Sequence, residues 1–216
     1  MTEQELPLRA ALIPVTPLQQ NCALVWCTAT NKAAVVDPGG DVPVILKAIE
    51  ETGVEVEKIL LTHGHIDHAG GAAELKDALG VDIEGPHEED LWLLNTLAET
   101  GREYGIHDAR NCATDRWLTE GETITVGQIS FDVLHCPGHT PGHVVFVNTD
   151  IKLGIFGDVL FQGSIGRTDF PRGDHDALIN AIKTKILPLG DDVFFICGHG
   201  PASSVGHERQ NNPFLT

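Results

Sequence analysis

Thr62-His63-Gly64-His65-Ile66-Asp67-His68, followed by Ala69-Gly70-Gly71, packs three imidazoles and a carboxylate into six positions. Behind it lies the apolar run Ile59-Leu60-Leu61, which reads as the end of a short buried strand. Ahead of it Ala72, Leu75 and Leu79 recur at helical spacing. The cluster therefore sits on a strand-to-helix loop, at the carboxyl end of a strand. Imidazole nitrogen and carboxylate oxygen both suit a borderline divalent metal such as zinc. Residues 63, 65, 67 and 68 are too close together to point one way from a regular element, so a loop must fan them out, toward two metals if the rest of the chain completes the set.

The rest of the chain offers more of the same. Strands repeatedly stop at a ligand-type residue beside glycine. The turn Leu134-His135-Cys136-Pro137-Gly138-His139-Thr140-Pro141-Gly142-His143 supplies further histidines. Ile155-Phe156-Gly157-Asp158 supplies an acid, and Cys197-Gly198-His199-Gly200 one more imidazole. His63, His65, Asp67, His68, His139, Asp158 and His199 are stock enough for two ions that share one carboxylate. Such a pair holds a bridging hydroxide near neutral pH and polarises a carbonyl, which is hydrolytic machinery with no need of a serine or cysteine nucleophile. His143 is expected behind a ligand or facing the substrate, and His135 in the core or behind a ligand. His87, His107, His175 and His207 read as plain surface residues. Cys136 and Cys197, beside histidines of interest, are candidate thiols near the metal.

With 216 residues, 42% of them hydrophobic and 21% charged, the chain is expected to form one globular domain over 1–216. A net charge of −17 argues against nucleic acid and anionic membranes as partners. Met1-Thr2-Glu3-Gln4-Glu5 is acidic where a secretory leader is basic, and no stretch has the length of a membrane-spanning helix. Five scattered cysteines without CxxC spacing suggest no disulfide framework. Cytoplasmic residence follows as the expectation.

Strands are expected over 10–15, 22–27, 33–36, 56–61, 81–84, 122–126, 129–134, 143–147, 151–156 and 193–196. Helices are expected after the N-cap Asp41 as far as Gly53, over 72–79, from Pro86 with Leu91, Leu94 and Ala98 on its apolar face, and over 177–186; residues 101–114 read as loop. The order suggests an α/β (α+β) class: two sheets packed face to face with helices outside.

The motif His63-Gly64-His65-Ile66-Asp67-His68, with His139, Asp158 and His199 following in that order, resembles the metallo-β-lactamase superfamily, and Asp37 matches the acid that ends an early strand there. Asn21-Cys22, the run from Pro137 to His143 and the tail Asn212-Pro213-Phe214-Leu215 resemble its glyoxalase II (hydroxyacylglutathione hydrolase) branch, in the short bacterial type II form. The resemblance implies an αββα sandwich of two mixed sheets. It implies one metal on His63, His65 and His139, a second on Asp67, His68 and His199, and Asp158 as the bridge. Zinc is the expected metal, although the same ligands accept iron or manganese. Asp67 and Asp158 would be catalytic, with Asp37 supporting the ligands from behind. The implied reaction is hydrolysis of S-D-lactoylglutathione to D-lactate and glutathione, a step of methylglyoxal detoxification, by attack of the bridging hydroxide on the thioester carbonyl.

The longer glyoxalase II enzymes carry a C-terminal helical extension that helps hold glutathione, and none is expected here, where few residues follow His199. Arg167 stands where those enzymes place a glutathione-contacting lysine, and could grip a carboxylate or pair with Asp169 or Asp174. Gly166-Arg167-Thr168-Asp169-Phe170 also resembles persulfide dioxygenases, which share the fold but would hold one iron on His63, His139 and Asp158. A lactonase or β-lactamase would use the same hydroxide on an ester or an amide.

Overall fold

The computed structural model describes residues 6–216. The first sheet contains β1 (Leu8–Val15), β2 (Gln20–Cys27), β3 (Lys32–Val36), β4 (Glu55–Leu60) and β5 (Asp82–Glu84), side by side in that order. The first two pairings are antiparallel and the last two parallel. The second sheet contains β6 (Thr123–Val126), β7 (Ile129–His135), β8 (Val144–Asn148), β9 (Leu153–Ile155), β12 (Phe194–Ile196) and β13 (Ser203–Ser204). Within it only the β9–β12 pair is parallel. A small hairpin, β10 (Leu160–Phe161) with β11 (Ser164–Ile165), stands between β9 and β12 in sequence.

Why the central strands read as continuous apolar runs is plain from their packing. Side chains alternate across a strand, and both faces of these sheets are buried. In β2 Cys22 and Leu24 face the outer helices while Ala23 and Val25 face the other sheet; in β3 Ala33 and Val35 face outward and Ala34 and Val36 inward. In β8 Val144 and Phe146 join the layer between the sheets, and Val145 and Val147 pack outward. Each large side chain so buried contributes about 1.5–3 kcal/mol. Helices α1 (Val42–Thr52) and α3 (Ala72–Leu79) cover the first sheet through Ile45 and Leu75. Helix α6 (His175–Ala181), continued by a wider turn over Ile182–Ile186, covers the second through Leu178 and Ile182. The expected layering of helix, sheet, sheet and helix is what forms.

Several local expectations are corrected. The opening motif is not all loop, because Ile66–Ala69 closes a single helical turn, α2, that carries Asp67 and His68. Asp41 is the N-cap residue of α1, with φ 50°, but its side chain makes no cap there; its carboxylate accepts instead from the Thr16 N–H at 2.7 Å, tying the helix to the β1–β2 turn. The start of 101–114 is helical, since α5 (Leu97–Tyr104) follows the short α4 (Leu91–Leu94). A further helix, α7 (Val205–Asn211), capped by the Ser204 hydroxyl, follows the His199 loop. Among the described residues no helix is long and apolar enough to cross a membrane.

Candidate metal centre

Five strands run to one end of the sandwich, and the loop after each delivers a polar side chain there. Asp37 follows β3, residues 62–68 follow β4, residues 136–143 follow β7, Asp158 follows β9 and His199 follows β12. Parallel pairing of β3 with β4, and of β9 with β12, puts both members of each pair at the same end.

The seven side chains expected as ligands converge there. In one set His65 Nδ1 lies 3.1 Å from His63 Nε2 and 2.9 Å from His139 Nε2. In the other, Asp67 Oδ2 lies 3.1 Å from His199 Nε2 and 3.9 Å from His68 Nε2. Asp158 reaches both: its Oδ2 is 3.5 Å from His139 Nε2 and 3.7 Å from His199 Nε2, and its Oδ1 is 3.3 Å from His68 Nε2. Separations of this size are those of atoms grouped around a common small cation. His68 Nε2 and Asp158 Oδ1 are buried without a hydrogen-bond partner, a costly state that a bound cation would relieve, so the donor set fits the metal pair implied by the sequence.

Electrostatics point the same way. Burial, and then the neighbouring imidazoles, hold His63 well below the usual imidazole range and bring His65 down to about 3, so both present neutral lone pairs. Burial works to raise Asp158, but His68 outweighs it and holds the carboxyl far below its usual range. Burial likewise works against a charged His68, but Asp158 and Asp67 hold that imidazole well above its ordinary value.

A second layer aims the ligands. Asp37 accepts from the Thr62 N–H and hydroxyl, both at 2.7 Å, and its Oδ2 lies 2.9 Å from His68 Nδ1. His139 Nδ1 donates to the Arg167 carbonyl at 2.7 Å. His143 is fully buried and stacked on His63, with ring centroids 4.5 Å apart, and its Nε2 accepts from the Asp158 N–H at 3.0 Å. It thus lies against the His63 ring and the backbone of Asp158. The Arg167 guanidinium forms a two-pronged pair with Asp169 at 2.8 and 2.7 Å and lies over the Phe170 ring. This is the local pairing with Asp169 that the sequence offered. Gly198 is required by the site, since a Cβ there would lie 2.1 Å from Asp158 Oδ1 and 2.6 Å from a carbon of the His68 ring.

Neither candidate thiol joins the cluster. Cys136 packs in the apolar core with its thiol pushed up to about 12 by burial, and Cys197 donates its S–H toward the His199 and Pro201 carbonyls. Cys136→Ala and Cys197→Ala variants are accordingly expected to retain the wild-type metal content by atomic absorption.

Two further residues contribute, in roles the sequence did not announce. Asn21 donates its side-chain amide to the Cys197 and Gly200 carbonyls at 3.0 and 2.9 Å, fixing the loop that carries His199. Asp90 is fully buried and accepts from the Gly64 N–H at 2.9 Å, the Thr140 hydroxyl at 2.8 Å and the Gly142 N–H at 2.7 Å. It thereby clamps the His63–His65 loop to the His139–His143 loop. For Asp90 the hint in the sequence was an acid ending the run Glu88-Glu89-Asp90.

The profile of the metallo-β-lactamase superfamily matches residues 15–199. The chain belongs to the metallo-β-lactamase superfamily. Within it, the chain is 47% identical over 205 residues to the hydroxyacylglutathione hydrolase GloC of Haemophilus influenzae, covering 94% of this chain and 96% of that one. This similarity supports the glyoxalase II branch. Two solved superfamily structures superpose closely. One is the BLEG-1 B3 metallo-β-lactamase, with TM-score 0.87, 34% identity, and 97% of this chain and 99% of that one covered. The other is TTHA1623 in a di-iron-bound form, with TM-score 0.86, 36% identity, and 95% and 100% covered.

Proposed function

We propose that the protein is a metal-dependent thioester hydrolase of the hydroxyacylglutathione type, converting S-D-lactoylglutathione and water to D-lactate and glutathione. The observation that carries this reading is the convergence of two ligand sets on Asp158, in a chain nearly half identical to GloC. His63, His65 and His139 would hold one divalent ion, Asp67, His68 and His199 a second, with Asp158 serving both. Zinc suits this imidazole and carboxylate set, as does iron, the metal described for TTHA1623.

Bound there, two divalent ions supply a water-derived nucleophile at neutral pH and a Lewis acid for the thioester carbonyl. The chain's own residues do the rest. Asp37 and the Arg167 carbonyl hold the outer nitrogens of His68 and His139, which keeps their Nε2 lone pairs turned inward. Phe170, with its ring centroid 5.0 Å from that of His65, forms an apolar wall beside the reacting centre. No residue need protonate the leaving group: a thiol ionises near pH 8.5 and departs as the thiolate, whereas an amide nitrogen must be protonated to leave. The site's imidazoles and carboxylates are committed to the ligand sets or to their support, and this favours a thioester over a lactam.

A small glutathione conjugate is the proposed partner, with nucleic acid disfavoured by the charge of −17. The cytoplasm is the proposed location, consistent with five free cysteines. The test is thiol release from S-D-lactoylglutathione by protein whose metal content has been measured. Two ions per chain and a kcat/KM of roughly 10⁴ M⁻¹ s⁻¹ or more are expected, with activity lost on chelation and restored by zinc or iron. A two-metal preparation that releases no thiol overturns the reading, and one iron per chain with oxygen uptake on glutathione persulfide would replace it by a dioxygenase.

A further inference from the structure

At the Phe170 wall the chain turns sharply through Phe170-Pro171-Arg172-Gly173, and the Gly173 N–H donates to the Phe170 carbonyl at 2.9 Å. Arg172 takes the third position of that turn with φ 65°, where glycine or asparagine is the usual choice. Its guanidinium lies over the Trp92 ring, 4.7 Å from the centroid. We propose that Arg172, held on Trp92, binds a carboxylate of the peptide half of the substrate at the mouth of the metal centre. The proposal rests on the thioester reading above and adds to it the residue that receives the charge of the thiol portion.

Charge is the first argument. The chain has 31 acidic and 14 basic side chains, so a basic side chain has carboxylates in plenty to pair with. Arg110 is matched by Asp77, and Arg167, in the same segment as Arg172, by Asp169. Among the described residues no carboxylate lies within ion-pair distance of Arg172, and the Trp92 ring is what it touches. A guanidinium on an aromatic face is fixed in place, while its N–H donors stay open to a carboxylate in the two-pronged geometry that suits both groups. The Arg172 side chain is exposed, so a ligand reaches it without rearrangement of the fold.

Position is the second argument. Phe170, in the same turn, has its ring centroid 5.0 Å from that of His65 and 6.1 Å from that of His139. Both ends of the segment are tied to the His139 loop. His139 Nδ1 donates to the Arg167 carbonyl at 2.7 Å, and the Asp174 N–H donates to the Gly138 carbonyl at 2.8 Å. Trp92 stands on α4, where its neighbour Leu93 packs against the other ligand loop: a Cβ on Gly64 would come 2.8 Å from the Leu93 Cβ. The contact of Arg172 with Trp92 therefore links the segment held by His139 to the helix packed on the His63–His65 loop. With the thioester carbonyl at the metal pair, each arm of a γ-glutamyl-cysteinyl-glycine chain carries its carboxylate outward by roughly 3.5 Å per residue. The carboxylates then come to the rim, where a chain of net charge −17 must supply a local cation to an anion. Because turn and ring already hold Arg172, little ordering entropy remains to be lost on binding.

The test compares S-D-lactoylglutathione with its diethyl ester, which keeps the thioester and has neither carboxylate, on wild type, Arg172→Gln and Arg172→Lys of equal metal content. Arg172→Gln is expected to raise KM for the free acid about tenfold or more, with kcat and the melting temperature close to wild type and the diester turned over as before. Arg172→Lys, which keeps the charge without the fork, is expected to fall between. Calorimetric titration with S-methylglutathione, a thioether that cannot be hydrolysed, reads the same contact without turnover, and its Kd is expected to rise about tenfold or more in Arg172→Gln. Equal losses on acid and diester, or no loss on either, overturn the proposal and leave the hydrolase reading standing. Arg172-dependent binding of S-methylglutathione by a metal-loaded wild type that releases no thiol supports the proposal and overturns the hydrolase reading. A wild type that neither binds S-methylglutathione nor releases thiol overturns both.

Discussion

Asp158→Ala is expected to lower kcat/KM for S-D-lactoylglutathione by about three orders of magnitude or more and to leave fewer than two metal ions per chain after dialysis. The reason is position. Asp158 is the side chain that stands between His139 of one set and His199 of the other. On the proposed assignment its removal would take from both ions a carboxylate they would share. It also leaves His68 Nε2 without its nearest carboxylate. Asp67→Ala makes the informative comparison. Asp67 lies beside His199 and His68 alone, so that variant is expected to keep one ion on His63, His65 and His139 while losing most activity. Thiol release and metal counting on the same preparations check both outcomes. Full metal retention by Asp158→Ala would remove the case for a shared carboxylate.

Asp90→Ala is expected to destabilise the fold by about 3–5 kcal/mol, because three buried donors lose their acceptor at once. For a chain of this length that is a fall in Tm of roughly 10 °C or more. Activity should fall in the surviving folded protein as well, since the clamp joins the loops of His63, His65 and His139. The residue also carries a pH signature. Burial pushes its carboxyl up to about 6, against the pull of its three donors, from the ordinary 3.8. Between these values the folded chain holds a proton that the unfolded chain has released. The Asp90 contribution to stability is therefore full below about pH 4 and declines as pH rises through 6. Asp90→Asn cannot titrate, so the Tm difference between wild type and Asp90→Asn should shift against the wild type across that window. A difference that stays flat from pH 4.5 to 7.5 would show that Asp90 is ionised throughout.

The contrast between Asp90 and the ligands explains what the sequence could disclose. The expected ligands are legible because they gather in glycine-containing turns that follow apolar strands, so strand period and metal chemistry mark the same stretches. The sandwich was legible because its inner strands are buried on both faces. Asp90 was not, because an acid at a helix start has an ordinary local use, and its partners Gly64 and Thr140 are 26 and 50 residues away. The helical turn at Ile66–Ala69 is too short for periodicity to register. His87 looked like a surface residue because the stacking of its half-buried ring on His135 is a tertiary fact, 48 positions distant in the chain. Arg167 was ambiguous because a carboxylate partner, Asp169, stands two positions away and engages its guanidinium.

One consequence of the architecture concerns assembly from parts. His63, His65, Asp67 and His68 come from the first sheet's half of the chain, and His139, Asp158 and His199 from the second. A chain cut in the segment between α5 and β6 would give two fragments, each with part of every ligand set and one open apolar sheet face. Reassembly would then depend on cation supply as well as on the buried layer between the sheets, with chelation pulling the halves apart. Complementation of the two fragments would read metal concentration as a gain or loss of the whole enzyme.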